Sequence, residues 1–436
     1  MDDGYFLLFK EMKFDWRYFM IKKTQINESL LLYCIIYLCS FNFWDTKFGM
    51  VFKYFFFCVI LIGLIGYGKR LLVNKGKIQT TAKDSVILYM FCIELFLIQV
   101  INVENSSQRN LAFYQYVFFM MMIPSILYLL EYCEIRKILN LFKTIGVVLS
   151  IFAIYEVFSG SYIIQNEYLG IMYNGSRVIR AMVFSGSFLT FGTIMAMISV
   201  VSFYDFYTNT SKLNLICLII NVVGLLMSSS RGPLVAFVIS AIVIYVYIGG
   251  RVNLLKVFKV ILIMFIIGML LAILGTTLSR NNSTIAFYLN RLQSIFDWSE
   301  NSASNTGRID CWLYSIEKFK EKTNWIFGIG PAATGARAKA NWGGFVTESG
   351  LLKRFLELGA VVAVVYYMFF FSTVHAGLRK ARKEGNQYIA LALGIVICIL
   401  IEDTILQITE ELSVTFLLWM FICILLRKEK QNDERI

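Results

Sequence analysis

Apolar runs long enough to cross a bilayer follow one another along almost the whole chain, and this constrains its fold more than any other feature. Runs of roughly 16–24 residues, the length that spans a hydrocarbon core as helix, occur at 29–46, 50–67, 85–103, 111–132, 143–159, 181–204, 213–228, 233–249, 257–275, 352–374, 388–406 and 412–426. The fold class expected is all-α, a polytopic membrane helix bundle of about 12 transmembrane helices with one large extracytoplasmic loop. A composition of 58% hydrophobic and 16% charged residues, with three prolines and one histidine in 436 residues, excludes an ordinary soluble domain.

Orientation follows from the cations, because Lys and Arg accumulate in cytoplasmic loops. With the N-terminus inside, the inner segments hold Lys10, Arg17, Lys22, Lys23, Lys69, Arg70, Lys75, Arg136, Arg251, Lys256, Arg379, Lys380 and Arg427, among others. The short outer loops hold only Lys47, Arg109, Arg177, Arg180 and Arg231. The net charge of +12 is therefore an orientation signal and not a sign of nucleic-acid binding. The organisation expected is a cytoplasmic or interfacial segment over 1–28, a bundle of nine spans over 29–275, the large extracytoplasmic loop over 276–350, three further spans over 351–426, and a cytoplasmic tail over 427–436. Residues 1–28 are basic and aromatic and lack a small-residue cleavage site, so they read as an amphipathic lead-in and not a removable signal peptide. No internal repeat divides the chain. Cys311 is alone in the outer loop, which leaves no extracytoplasmic disulfide within the chain, and no Cys/His cluster has metal-ligand spacing.

The segment Thr276 to Gly350 is too long for a connector and too basic to be incidental, which makes it the place to look for chemistry. Within it, Asp310 to Phe327 sets Trp312, Ile316 and Phe319 at helical spacing and predicts a short amphipathic helix. A turn is expected at Gly328 to Pro331, followed by a flexible Ala/Gly-rich stretch to Gly344.

In this topology four arginines face one compartment. Arg177 and Arg180 precede the sixth span, Arg231 lies in the tight turn Ser228-Ser-Ser-Arg-Gly-Pro233, and Arg308 opens the loop helix. Guanidinium offers a fork of donors matched to phosphate oxygens, so converging arginines suit a diphosphate. A single outer arginine is more often an interfacial anchor. For Arg231 the balance favours function, since a helix beginning at that turn adds its own N–H donors toward an anion. The small residues from Arg180 to Gly192 fit either close helix packing or a substrate groove. Glu348 lies at the outer start of the tenth span beside Lys353 and Arg354, as a helix-capping group or as a carboxylate for a hydroxyl. Trp298, Trp312, Trp325 and Trp342 fall in the loop, where they anchor it at the interface or stack on sugars. Glu94, Glu156, Glu402 and Asp403 lie near or within spans, where a charge implies a role or a buried partner. His375 follows the tenth span on the cytoplasmic side, out of reach of an outer site.

These features together resemble the bacterial O-antigen polymerases, within the superfamily that includes the O-antigen ligases. The resemblance is carried by the twelve-span layout, the Ser230-Arg231-Gly232 turn, Thr306-Gly-Arg308 with Trp312 following, the Gly328-Ile-Gly330 turn, and Glu348-Ser-Gly followed by Leu-Glu-Leu-Gly359. It covers roughly residues 140–375, and the earlier spans only by hydropathy. It implies joining of undecaprenyl-diphosphate-linked glycans at the outer face of the cytoplasmic membrane, without cofactor or metal, and a chain-length regulator as a partner. By this similarity Arg180, Arg231, Arg308 and Glu348 would be catalytic, and Arg177, Trp312 and Arg354 would bind substrate. Ligases typically carry a histidine about where Glu348 stands, which favours polymerase. A polysaccharide-lipid flippase also fits twelve spans, but would concentrate charge along a central path and show repeated halves. A purely structural scaffold would leave the arginine-lined face unexplained.

Overall fold

The protein's structure, a computed structural model, describes residues 16–40, 47–73, 83–131, 133–164, 171–173, 176–248, 286–288, 290–291, 303–321, 324–384 and 387–427. It is all-α apart from one small hairpin. In order the elements are α1 (Trp16–Ser40), α2 (Lys47–Val73), α3 (Lys83–Ile101), α4 (Ser106–Ala112), a π-helical turn (Phe113–Phe118), α5 (Phe119–Leu130), α6 (Ile135–Ser159), β1 (Ile171–Tyr173), β2 (Ser176–Val178), α7 (Phe188–Thr208), α8 (Lys212–Met227) and α9 (Arg231–Tyr247). After them come α10 (Ala303–Lys320), α11 (Asn324–Phe327), α12 (Ala336–Trp342), α13 (Gly350–Glu384), α14 (Gln387–Ile405), a 3₁₀ turn (Ile408–Glu410) and α15 (Leu412–Leu426). Six helices are long and apolar enough to cross a membrane, and five shorter apolar helices stand beside them. Helix occupies at least part of each expected span except 257–275, which lies outside the described residues.

Helix α15 is buried along its whole length, and α7 along most of its own, so these two form the centre of the bundle. Around them α9 packs on α14, α6 and α7 on α8, α2 on α5, and α3 on α13. Small residues permit close approach: a side chain added at Gly224 of α8 would collide with Ser150 of α6. The outer helices keep apolar side chains exposed, as at Val361, Val364, Met368 and Phe371 on one side of α13, the residue pattern of a helix whose outer neighbour is lipid. Pro124 lies inside α5 and has no N–H for the carbonyl of Met120. That carbonyl instead accepts from the Tyr89 hydroxyl of α3 at 3.1 Å, so the break in the ladder is repaired by a neighbouring helix.

Three sequence expectations are corrected. The span expected from residue 181 begins its helix at Phe188, because residues 181–187 wrap around a buried carboxylate and Ser187 caps α7. The loop helix begins at Ala303 and ends at Lys320, ahead of where Asp310 to Phe327 placed it, and α11 follows as a separate turn. The stretch expected to be flexible before Gly344 contains α12. The turn at Gly328 to Pro331 is present. Its glycine meets a second one where α13 is interrupted, with Gly328 at φ 74° and Gly359 at φ 75°. A Cβ at Gly328 would come within 2.2 Å of the Glu357 carbonyl, and one at Gly359 within 2.1 Å of the Ile326 carbonyl. Only glycine fits such a backbone crossing.

The polar connections gather in two groups. In one, Gln99 of α3 donates to the Leu358 carbonyl, Gln108 of α4 to the Pro331 carbonyl, and Gln407 and Glu410 contact Thr347 and Lys353. In the other, Arg70 pairs with Glu131, Lys137 with Glu28, Lys143 and Arg136 with Asp205, and Arg427 reaches the Cys133 carbonyl. Glu28 lies within α1, which runs unbroken from Trp16 into the first expected span.

Candidate functional site

The site lies beside the first of these groups, joined to it at Leu406, whose side chain faces Gly232 and whose carbonyl accepts from the Gly350 N–H. At the end of α6, the carboxylate of Glu156 is fully buried and accepts three backbone N–H groups: Ile163 through one oxygen, Met182 and Val183 through the other, each at 3.0 Å. This cradle holds the chain between α6 and α7, and with it Arg180. The Arg180 guanidinium donates to the carbonyls of Ser228 (3.3 Å) and Ser229 (3.0 Å) and to Ser230 Oγ (3.1 Å), and stacks on Phe188 at 3.4 Å from the ring centroid. It thereby clamps the turn that delivers Arg231, the first residue of α9. The Tyr288 hydroxyl closes the same corner, within hydrogen-bond distance of the carbonyls of Ile179 (2.8 Å) and Met227 (2.9 Å). Part of the large loop is thus fastened directly to the Arg180 segment and to the α8–α9 turn.

The cations are close enough to oppose one another. Burial, then the charge of Arg291, then that of Arg231 push the Arg180 guanidinium down to about 9. Arg291 is itself pushed down by burial and by Arg308. Arg308 extends the chain of cations to Glu348, whose carboxylate is 3.9 Å from its Nε, with both side chains partly exposed. A pair at that distance and exposure contributes about 0–1 kcal/mol and leaves Arg308 able to meet another anion. The Trp312 indole donates to the Glu348 carbonyl at 3.2 Å, joining α10 to the segment before α13.

Backbone strain is concentrated here. The non-glycine residues with positive φ among those described are Val183, Ser229, Ala332 and Glu348, at 46°, 50°, 58° and 52°. Three of them lie close in sequence to residues already singled out or are one of them: Val183 is three positions after Arg180, Ser229 two before Arg231, and Glu348 is itself a candidate. Each such conformation costs about 1–3 kcal/mol and persists only where its surroundings hold it. Here the Glu156 carboxylate, the Arg180 guanidinium and the Trp312 indole are the holding groups.

The structure thus brings together Arg180, Arg231, Arg308, Trp312 and Glu348. Arg177 is exposed on the hairpin, opposite Met172. Arg354 is elsewhere in its contacts: its guanidinium bonds Asp403 of α14 at 2.5 Å, the Gly350 carbonyl of α13 at 3.0 Å and the Thr409 hydroxyl of the 3₁₀ turn. Lys353 bonds Glu410 at 2.5 Å and the Thr334 carbonyl at 3.2 Å. Glu357, fully buried one turn further on, accepts from the N–H of Ala332 and Thr334, the Thr334 hydroxyl and the Tyr116 hydroxyl. These groups fasten the loop to α13. The span carboxylates divide: Glu156, Glu402 and Asp403 have buried partners, Glu402 receiving the Thr193 hydroxyl, whereas Glu94 is exposed on α3. His375 is exposed far along α13, near where Gly377 meets Leu425, and so belongs to the opposite group of connections.

Sequence reasoning missed Arg291, Tyr288 and Glu357. Arg291 and Tyr288 sit in a part of the loop without periodicity or turn signal, and the only available hint was their chemistry. Glu357 was inside a quoted motif but not distinguished from its neighbours.

A bundle of apolar helices, six of them long and apolar enough to cross a membrane, with strained, arginine-bearing connections fits the class of multi-pass membrane proteins. Residues 216–367 match the model of the O-antigen ligase family (Wzy_C), consistent with a member of the O-antigen polymerase and ligase superfamily. The matched stretch includes the Arg231 turn, the large loop and the first half of α13. A search of curated proteins gave no match.

Proposed function

We propose that the protein polymerises undecaprenyl-diphosphate-linked oligosaccharide repeats into a surface polysaccharide at the outer face of the cytoplasmic membrane, with about twelve spans and both termini inside. The observation that carries this reading is the succession of neighbouring cations Arg231, Arg180, Arg291 and Arg308, drawn from four separate stretches of chain. Neighbouring cations attract an anion, and a diphosphate fits both their charge and their donor geometry.

In the reaction proposed, a hydroxyl of the incoming lipid-linked repeat attacks the anomeric carbon of the growing glycan. A new glycosidic C–O bond forms as the bond to the donor's diphosphate oxygen breaks, and the hydroxyl proton passes to Glu348 or to water. Arg231 and Arg308 stabilise the negative charge that grows on the leaving diphosphate, which lowers the barrier because they bind it more strongly in the transition state. Arg180 adds charge and holds Arg231 in place; Arg177 and Trp312 assist binding. Arg354, paired with Asp403, supports the site from within the bundle.

The test is gel analysis of surface polysaccharide from a deletion strain complemented with Arg231→Ala or Arg308→Ala. A loss of about 10²–10³-fold in turnover is expected for a donor acting in the transition state, so the long-chain ladder should collapse toward single repeats. A full ladder from both variants would remove the roles assigned. The description of the matched family favours a second reading, ligase. A deletion that leaves complete polymer stranded on its lipid carrier would select it, and loss of all surface repeats would select transport.

A further inference from the structure

Helix α10 has three faces. Ser315 and Phe319 point inward, the latter with its ring 6.4 Å from that of Phe355 on α13. Asp310, Glu317 and Glu321 are exposed on the opposite side. Between these lies a flank of Ile309, Leu313 and Ile316, exposed at 36%, 55% and 37%, with Lys320 one turn beyond. Spacings of four, three and four residues place all four on one line along the helix. Beside it, α11 exposes Trp325 and Phe327 at 51% and 69%.

The position of α11 identifies what covers these side chains. Gln99 of α3 donates to the Leu358 carbonyl at 2.8 Å and reaches that of Phe327 at 3.5 Å, and the Gly328–Gly359 crossing locks α11 onto α13. Trp325 and Phe327 therefore continue the exposed apolar surface that Ile98 and Ile101 form on α3 and Val361 and Val364 on α13. In a multi-pass protein that surface faces lipid. Tryptophan at its upper edge is the residue enriched where hydrocarbon gives way to headgroups. A helix with an apolar flank, a terminal lysine able to extend toward phosphates, and acidic residues turned away fits the same interface.

We propose that α10 and α11 are seated in the bilayer interface, with Leu313, Trp325 and Phe327 at the headgroup–acyl boundary, so that the large loop is a membrane-embedded rim and not a freely projecting domain. Arg308, on the same helix, is then held at the depth of lipid phosphates. The seating depends on the bundle crossing a membrane and not on the chemistry proposed above.

The test uses the full-length chain in phosphatidylethanolamine–phosphatidylglycerol vesicles carrying bromine near the headgroup or near the chain terminus. The Trp325 signal is the difference between wild-type and Trp325→Phe fluorescence. It should lose intensity to shallow bromines and less to deep ones, and a tryptophan placed by Leu313→Trp in the Trp325→Phe chain should behave alike. One placed by Glu317→Trp should not be quenched. If tryptophans at 313 and 325 are quenched no more than one at 317, because water, another part of the chain or a second copy covers them, the seating is wrong. The polysaccharide ladder is independent of this outcome, so the two readings fail separately.

Discussion

Arg180 shows how a side chain expected to meet substrate also serves the architecture. It was legible as a cation at the mouth of a span, but its three bonds to the Ser228–Ser230 turn depend on a contact between segments nearly fifty positions apart, which no local pattern encodes. The same holds for Glu156, whose carboxylate was suspicious inside a span and proves to be an acceptor for three amides. Because the folded value of Arg180 lies below its unfolded one, the cationic form is disfavoured by folding. That penalty is fully present at neutral pH and is relieved as pH rises above about 9, whereas a bound anion would relieve it at physiological pH. Inorganic diphosphate should therefore raise the Tm of the detergent-solubilised protein, by linkage of binding to folding. Arg291→Ala should shrink the diphosphate response; an unchanged response would remove Arg291 from the anion site.

At the scale of elements, apolar run length located the helices, because a bilayer imposes a minimum length on any helix crossing it. It could not place the start of α7, since residues 181–184 are apolar for a different reason: they belong to a segment wrapped around the buried Glu156, which accepts from the Met182 and Val183 N–H groups. Nor did composition reveal α12 within its Ala- and Gly-rich stretch. The Gly328–Gly359 crossing was visible as two motifs but not as one contact. Gly359→Ala would press a methyl group against the Ile326 carbonyl and force a positive φ on a residue with a side chain. A destabilisation of about 1–3 kcal/mol is expected from strain of this kind. It should appear as a lower Tm together with faster proteolysis between α10 and α12, whereas an alanine on the exposed side of α13, as in Val361→Ala, should leave both unchanged.

For the molecule as a whole, the contacts sort the described connections into two groups. The proposal that the two groups lie on opposite sides of the membrane can be checked directly. Single cysteines in place of Ser161, in the connection that carries Arg180, and Gly307 should react with a membrane-impermeant maleimide from the same side of intact cells, and one in place of Lys137 only after the membrane is opened. Labelling of positions 161 and 307 from opposite sides would separate the arginines and end the proposed site. Helix α15 has a consequence for biogenesis. It is enclosed by its neighbours on every side, yet it follows all the other described helices in the sequence. A nascent chain stopped short of residue 412 would therefore leave uncovered the surfaces of α5, α13 and α14 that pack against it.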